Sequence, residues 1–371
     1  MNRLPGVPSP KKLMLVTKQL DSTPSGGREL LCKLNYDALK AIYGDRLILF
    51  ELPRSRRWGL LSVTSTLGGH IDGLNKSVIA KALEAIQSEN IGKVFVDGSN
   101  LGGLVKIIKQ TSPQVEISTF FHNVETRFFL GALGQFGTLR ALAVLVANYL
   151  AERKAVRYSD KIVCLSERDG RLLRTLYGRG ATHVSPMAVQ DTRPAGVARP
   201  TTTSPERFAL FVGGSFYANR AGISWFVENV VPRVGIKTCI VGRGLDDLKP
   251  KLEREGKGKV SVIGAVDSLS DWYQDAHFVI APIFDGSGMK TKVAEALMYG
   301  KKIIGTPEAF SGYENIADRA GWVCATADDF VEAIGRANVE ITKSFDPELR
   351  ALYEQRYSYL AARSRLAAIL G

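Results

Sequence analysis

The sequence predicts an α/β protein built from two Rossmann-like halves, and three observations carry that expectation. Short apolar runs alternate with amphipathic stretches along nearly the whole chain. A Pro/Thr-rich segment near the middle separates two such series. The run over residues 279–306, VIAPIFDGSGMKTKVAEALMYGKKIIGT, reads as a buried strand ending at Pro282, a glycine loop, a helix opening with Lys290 and Lys292, and a second strand. That arrangement is a phosphate-binding turn.

Taken in order, residues 12–17 read as a strand, Ser25-Gly26-Gly27 as a turn, and residues 28–42 as a helix with apolar positions at helical spacing. Further strands are expected at 47–52, 94–96, 115–121 and 161–165, the last followed by a helix start at Ser166-Glu167-Arg168-Asp169. Residues 195–205 form the linker. The second series places strands at 208–212, 238–241, 259–263, 278–281 and 302–305, and the Ala-, Leu-, Arg- and Tyr-rich C-terminus reads as helical. The expected domains are 1–190, a linker at 191–206, and 207–345, followed by a terminal helical segment at 346–371.

Composition bounds the function. With 371 residues, 45% hydrophobic and 23% charged, the chain is long enough for two globular domains. Cys32, Cys164, Cys239 and Cys324 lie far apart with no C-x-x-C pair, which fits buried thiols in a reducing compartment. The start, MNRLPGVPSPKK, lacks the apolar core of a secretory signal, and the apolar run at 141–151 is shorter than the ~20 residues a membrane span needs. The expectation is a cytoplasmic protein. Net charge is +12, and it is uneven: residues 1–190 hold 26 Lys and Arg against 15 Asp and Glu, residues 191–371 hold 23 against 22. A basic first half attracts an anionic membrane surface or a lipid-diphosphate acceptor, or else serves solubility alone. No helix-turn-helix, zinc-finger or aromatic RNA-binding signature accompanies the charge, so nucleic acid is not an expected partner.

The chemistry of the loop follows from its residues. A helix start presents unpaired backbone N–H groups and the positive end of the dipole. Gly286 and Gly288 let the backbone approach a diphosphate, Ser287 adds a hydroxyl, Lys290 and Lys292 add positive charge, and Glu295 accepts bonds from sugar hydroxyls. An ordinary strand-to-helix turn with solvated lysines is the plain alternative, and the joint order of strand, Gly-x-Gly, two lysines, glutamate and Tyr299-Gly300 argues against it.

This run resembles the donor-site motif of GT-B glycosyltransferases, in the group 1 or family 4 class that includes many bacterial polysaccharide enzymes. Phe211-Val-Gly-Gly with Asn219 and Gly222, Val241-Gly-Arg-Gly, Ser261-Val-Ile-Gly and the Gly312-Tyr313-Glu314 loop stand in the same order. The resemblance implies a GT-B fold with an interdomain cleft and a C-terminal helix crossing back to the first domain. It also implies a donor site for a nucleotide-diphosphate-sugar: Gly288, Met289 and Lys290 in the loop, Glu295 on the ribose, Asp285 toward the transferred sugar, and Gly312, Tyr313 and Glu314 closing over the donor. Many relatives carry two glutamates eight residues apart; Ser287 stands where the first would be. Many also place an Arg directly after the F-x-G of this strand and a Lys further on, whereas here Gly214 fills the first place and Arg220 lies near the second. Arg243 in VGRG is a further cation for the donor, with an exposed loop arginine as its plain alternative.

In the first half, His122 follows the strand ending TFF, and FFHNVE resembles the first-domain histidine motif of the same family, in which the histidine lies beside the transferred sugar. Glu125 is a nearby carboxylate or a helix cap. Gly26 and Gly27 follow the first strand, where backbone approaches donor or acceptor in this fold, or simply turn the chain. Asp97 in DGSN reads as turn chemistry, and Glu152, Asp160 and the Glu167-Arg168-Asp169 run as structural pairs or caps. Residues 127–136, RFFLGALGQF, read as an apolar loop that touches a membrane interface with Arg140, Arg153, Lys154 and Arg157 nearby, or as a helix buried between domains. Arg54, Arg56, Arg57 and Trp58 form a second basic cluster.

A departing diphosphate needs stabilising by a metal or by fixed cations and helix-end amides. The chain has no Asp-x-Asp and no His/Cys ligand spacing, so a metal-independent route through Lys292, Lys290 and Arg220 is expected, with no cofactor beyond the donor. The resemblance implies a retaining transfer, and the leading expectation is a lipid-linked or polysaccharide acceptor, with the basic first half placing the protein peripherally at the inner face of the plasma membrane. An inverting reaction would instead ask His122 or Glu125 to act as base. A nucleotide-sugar isomerase or epimerase of the same architecture and a catalytically silent nucleotide- or membrane-binding partner are the alternatives.

Overall fold

A computed structural model describes residues 11–21, 26–53, 73–136, 139–193 and 207–371. The linker expected at 191–206 and the Arg54 to Trp58 cluster lie largely or wholly outside these residues. Contacts divide the chain into two units, residues 1–186 with 362–371, and residues 187–361.

The first unit starts from β1 (Lys12–Lys18), whose Leu13, Met14, Leu15 and Val16 are wholly buried. A strand apolar on both faces belongs in the middle of a covered parallel sheet. It pairs in parallel with β2 (Leu47–Leu52) on one side and β3 (Ile91–Asp97) on the other. Then follow β4 (Glu116–Phe121), β5 (Lys161–Cys164) and the short β6 (His183–Val184), giving the order β2-β1-β3-β4-β5-β6, all parallel. The outer β2 alternates buried and accessible residues, as an edge strand does.

The helices between them are α1 (Gly27–Tyr43), α2 (Lys76–Ser88), α3 (Gly102–Thr111), α4 (Glu125–Phe136), α5 (Leu139–Tyr158) and α6 (Glu167–Tyr177). Asn75 caps α2 and Ser166 caps α6 through bonds to the Val78 and Asp169 amides. At Gly102 a Cβ would sit 1.8 Å from the Ala151 carbonyl oxygen, so only glycine lets α3 lie this close to α5. The last residues of the chain join this unit: Lys161 donates to the Ile369 carbonyl at 2.8 Å and Lys93 to that of Leu370, cations at the C-terminal end of a helix.

The second unit repeats the design with β7 (Phe208–Val212), β8 (Lys237–Val241), β9 (Val260–Gly264), β10 (Phe278–Ala281), β11 (Ile303–Gly305) and β12 (Gly321–Val323). Their order is β12-β11-β10-β7-β8-β9, again all parallel. The helices are α7 (Tyr217–Asn229), α8 (Lys249–Glu255), α9 (Ser270–Asp275), α10 (Thr291–Met298), α11 (Ala317–Ala320), α12 (Ala327–Glu340) and α13 (Pro347–Arg356). The final helix, α14 (Tyr359–Leu370), starts in this unit and ends in the first.

One open reading is decided and one expectation is corrected. Of the two readings of residues 127–136, the loop is set aside and the helix is the one found: they lie in α4, despite Gly131 and Gly134. The terminal segment is two helices rather than one, interrupted at Tyr357, whose φ of −118° and ψ of 4° leave the helical region. The four cysteines are buried and free, as expected. Among the described residues, no helix is long and apolar enough to cross a membrane.

Candidate active site

In the second unit the strand order reverses its winding between β7 and β10, and a crevice opens at the carboxyl ends of strands flanking such a switch. The loop after β10 is the one singled out by the sequence. Gly286 at φ 135° and Gly288 at φ 68° adopt backbone that other L-residues rarely take. Asp285 pins the turn, accepting from the Gly286 amide at 2.7 Å and from the Tyr217 hydroxyl at 2.9 Å. At Gly222 in α7 a Cβ would lie 1.7 Å from the Pro282 carbonyl oxygen, so α7 runs hard against the loop.

Helix α10 begins directly after the loop, and its N-cap residue, Lys290, supplies no side-chain cap. The first helical amides thus remain available to an anion. The Lys290 amine reaches Glu308 at 3.0 Å and the Gly288 carbonyl at 2.9 Å. Lys292 is buried, donates to Asn219 Oδ1 at 2.9 Å, and stands 4.4 Å from the centre of the Phe211 ring. Burial pulls its amine down to about 7; Glu295 opposes that and Lys290 reinforces it. Glu295 accepts from the Tyr273 hydroxyl at 2.7 Å, and burial raises its carboxyl against the pull of Tyr273 and Lys292.

The remaining expected donor residues fall into two sets. Tyr313 is wholly buried and its hydroxyl donates to the Lys290 carbonyl at 3.0 Å, so it props the helix start from beneath. Met289 is buried, with its sulfur 3.4 Å from the Met187 amide. Ser287 and Gly288 are partly exposed, and Glu314 folds back on the Gly312 amide at 2.9 Å. Gly214 lies beside the exposed Arg243, whose carbonyl oxygen a Cβ there would meet at 3.4 Å. Arg220 makes a fork onto Asp247 at 2.8 and 2.5 Å and also bonds the Gly244 carbonyl at 3.0 Å. Glu308, Tyr217 and Tyr273 were not anticipated. Glu308 is 18 positions from Lys290, and no local pattern links the two.

The first unit has its own switch point, between β1 and β3. There the turn reading of Asp97 is overturned. Asp97 closes β3, is buried, and accepts from His122 Nε2 at 2.8 Å, Asn35 Nδ2 at 3.0 Å and Thr17 Oγ1 at 3.2 Å. Burial pushes its carboxyl upward, but the His122 ring and the bonds from His122, Asn35 and Cys32 outweigh it and leave it below its ordinary value. Cys32 Sγ lies 3.7 Å from His122 Nε2, and burial followed by the Asp97 charge drives its thiol far up. Cys32, Asp97 and His122 offer atoms within 4.8 Å of one another, the one such metal-capable grouping among the described residues, and they already bond one another.

Glu125 opens α4, and its amide donates to Glu152 at 2.9 Å. Glu152 is wholly buried and also accepts from Thr126 N, Ser99 Oγ and Tyr177 OH, which makes it the structural anchor its sequence position suggested. Asp160 binds the Ile117 amide and Lys109, both at 2.8 Å. Gly26 is the N-cap of α1 in extended backbone with no side-chain cap, and Gly27 is the first helical residue. A cavity of about 630 Å³ opens at the opposite, amino-terminal edge of the second sheet, beside His277, Lys302, Trp322 and Arg336. It holds none of the residues above, and its lining lacks the glycine loop and open helix start that suit a phosphate.

Residues 206–338 match the family described as Glycosyl transferases group 1. No curated protein matches the chain in sequence. Solved structures match its fold along almost the whole length. Sucrose-phosphate synthase from Thermosynechococcus elongatus superposes with a TM-score of 0.74 at 14% identity, covering 97% of this chain and 98% of that one. HepE of Anabaena in complex with UDP and glucose gives 0.66 at 12%, covering 97% and 99%. The lipopolysaccharide outer core galactosyltransferase WaaB gives 0.65 at 13%, covering 97% and 99%. The expected GT-B architecture is thereby borne out.

Proposed function

We propose, from the premise that this chain is a group 1 glycosyltransferase by its second domain and its fold, that it transfers a sugar from a nucleotide-diphosphate-sugar to a lipid-linked or polysaccharide acceptor, with retention and without a metal. The observation that carries this reading is the buried amine of Lys292 beside the uncapped start of α10 and the two positive-φ glycines. A diphosphate leaving group develops negative charge, and here a helix end and two lysine amines meet it without reorganising. Glu295 takes the ribose hydroxyls, and Asp285, held by Tyr217, faces the transferred sugar. HepE, bound to UDP and glucose, supports a uridine nucleotide as the first donor to try.

Incubation with a panel of nucleotide-sugars, with and without membrane extract, tests the proposal. Acceptor-dependent release of nucleotide diphosphate, undiminished by EDTA, is the expected result. A sugar altered without any acceptor would replace transfer by isomerisation, and binding without turnover would leave a silent partner.

A membrane-associated acceptor is favoured by one face of α5. Leu142, Val146 and Leu150 are exposed there at 45%, 39% and 36%, and exposed Arg153 and Arg157 continue the same stripe. At 3.6 residues per turn these five side chains fall within about 80° of rotation. An apolar stripe ending in arginines suits the interface of an anionic bilayer. Leu130 on α4, 58% exposed, adds a further apolar group.

A further inference from the structure

We propose that the cavity at the amino-terminal edge of the second sheet is a binding site for an uncharged oligosaccharide, separate from the place of transfer. The ligand class follows from the lining; that the oligosaccharide belongs to the acceptor or its product rests on the reading of the chain as a glycosyltransferase.

Size and position come first. At about 630 Å³ the cavity matches sites that hold small ligands. His277, in its lining, immediately precedes β10, and the glycine loop follows the other end of that strand. Five residues of extended chain separate His277 from Pro282, roughly 17 Å, so a ligand here leaves the loop free.

Charge favours an uncharged ligand. Among the described residues the lining sets Lys302, Arg336 and Lys343 against Asp318, Glu340 and Asp346, so neither sign is in excess. Two pairs are already made: Lys302 lies 3.2 Å from Asp346, and Arg336 Nε donates to Glu340 at 2.9 Å. A charged ligand has to break into one of them. A hydroxyl joins them as a further partner, because a carboxylate has several lone pairs and a guanidinium five N–H donors.

His277 adds an acceptor that lacks a donor. The residue is only 7% exposed, and burial followed by Arg207 and Lys301 keeps the ring neutral, while its N–H donates to the Ala337 backbone. A neutral imidazole has one donor and one acceptor, so the other nitrogen, Nε2, accepts; it is buried with no partner among the described residues. Trp322 and Phe345 bring rings to the same lining, and Thr342 and Ser344 bring exposed hydroxyls. A pyranose matches this mixture: an apolar C–H face for the rings, and a rim of hydroxyls that both donate and accept. A nucleobase uses the rings but carries too few donors and acceptors for the rest.

The test is an array of uncharged and anionic oligosaccharides probed with the full chain, followed by titration calorimetry with the one bound best. The wild type is expected to bind an uncharged member, and Trp322→Ala to weaken that binding at least about tenfold. Arg336→Ala guards against a folding defect, since it sits at an exposed helix position, and should weaken binding several-fold through the donors it removes. Both variants should turn over a nucleotide-sugar with a monosaccharide acceptor as the wild type does. Binding of no uncharged oligosaccharide, binding of anionic members alone, or an affinity unchanged in either variant overturns the proposal. A wild type that binds the oligosaccharide through Trp322 yet turns over no nucleotide-sugar sinks the transferase reading and leaves the site standing.

Discussion

Lys292 poses the sharpest charge problem in the second unit. An amine shut between Asn219 and the Phe211 ring is poorly solvated, which is why its proton is held only to about pH 7. The unfolded chain keeps that proton to about pH 10.4. Between these values the unfolded state binds more protons, so this group makes stability rise with pH from about 7 upward. Lys292→Met is expected to flatten that rise and to gain most stability over wild type below pH 7, as read from urea unfolding at pH 6 and pH 9. On the proposed role of Lys292 toward the leaving diphosphate, the same variant should lose about 2–4 kcal/mol of transition-state stabilisation in steady-state turnover. Activity within a factor of two of wild type would remove Lys292 from the chemistry.

At the scale of elements, the site depends on how closely α7 and the loop after β10 approach. Gly222→Ala puts a methyl group onto the Pro282 carbonyl, and helix or loop must shift. Thermal unfolding should fall by about 1–3 kcal/mol of stability, with weaker nucleotide diphosphate binding by calorimetry. Thr326→Ala is the matched control: it breaks the capping box of α12, should cost about 1 kcal/mol, and should leave nucleotide affinity alone. Much of this scale is legible in the sequence. The strands at Leu47–Leu52, Phe208–Val212 and Phe278–Ala281 have the bounds their apolar runs indicate. Helix α2 was missed although Val78, Ile79, Ala82 and Ile86 recur at helical spacing and Asn75 caps it. Helix α4 stayed open between loop and helix because two glycines lower its propensity, and its amide bonds to a distant Glu152 are invisible locally. The strand, glycine loop and helix start over residues 278–298 were legible because they are contiguous in the chain. The Asp97 cluster was not, because Thr17, Asn35 and His122 reach it from 80, 62 and 25 positions away.

For the whole molecule, the uneven charge and the α5 stripe point to the same surface chemistry. Flotation with anionic vesicles should carry the wild-type chain upward, and raised salt should release part of it, because screening weakens the basic contribution and spares the apolar one. Leu142→Ser with Val146→Ser should abolish flotation without lowering turnover of a soluble acceptor; unchanged flotation would exclude this face. The central claim concerns the second unit, and binding of UDP, GDP, ADP and dTDP by titration calorimetry tests it most directly. At pH 8, one of these should bind wild type without added metal and with net proton uptake between buffers of different ionisation enthalpy, as the diphosphate recharges Lys292, and should bind Lys292→Met far more weakly with that uptake gone. Equal affinity and equal proton uptake in the two proteins would contradict the account.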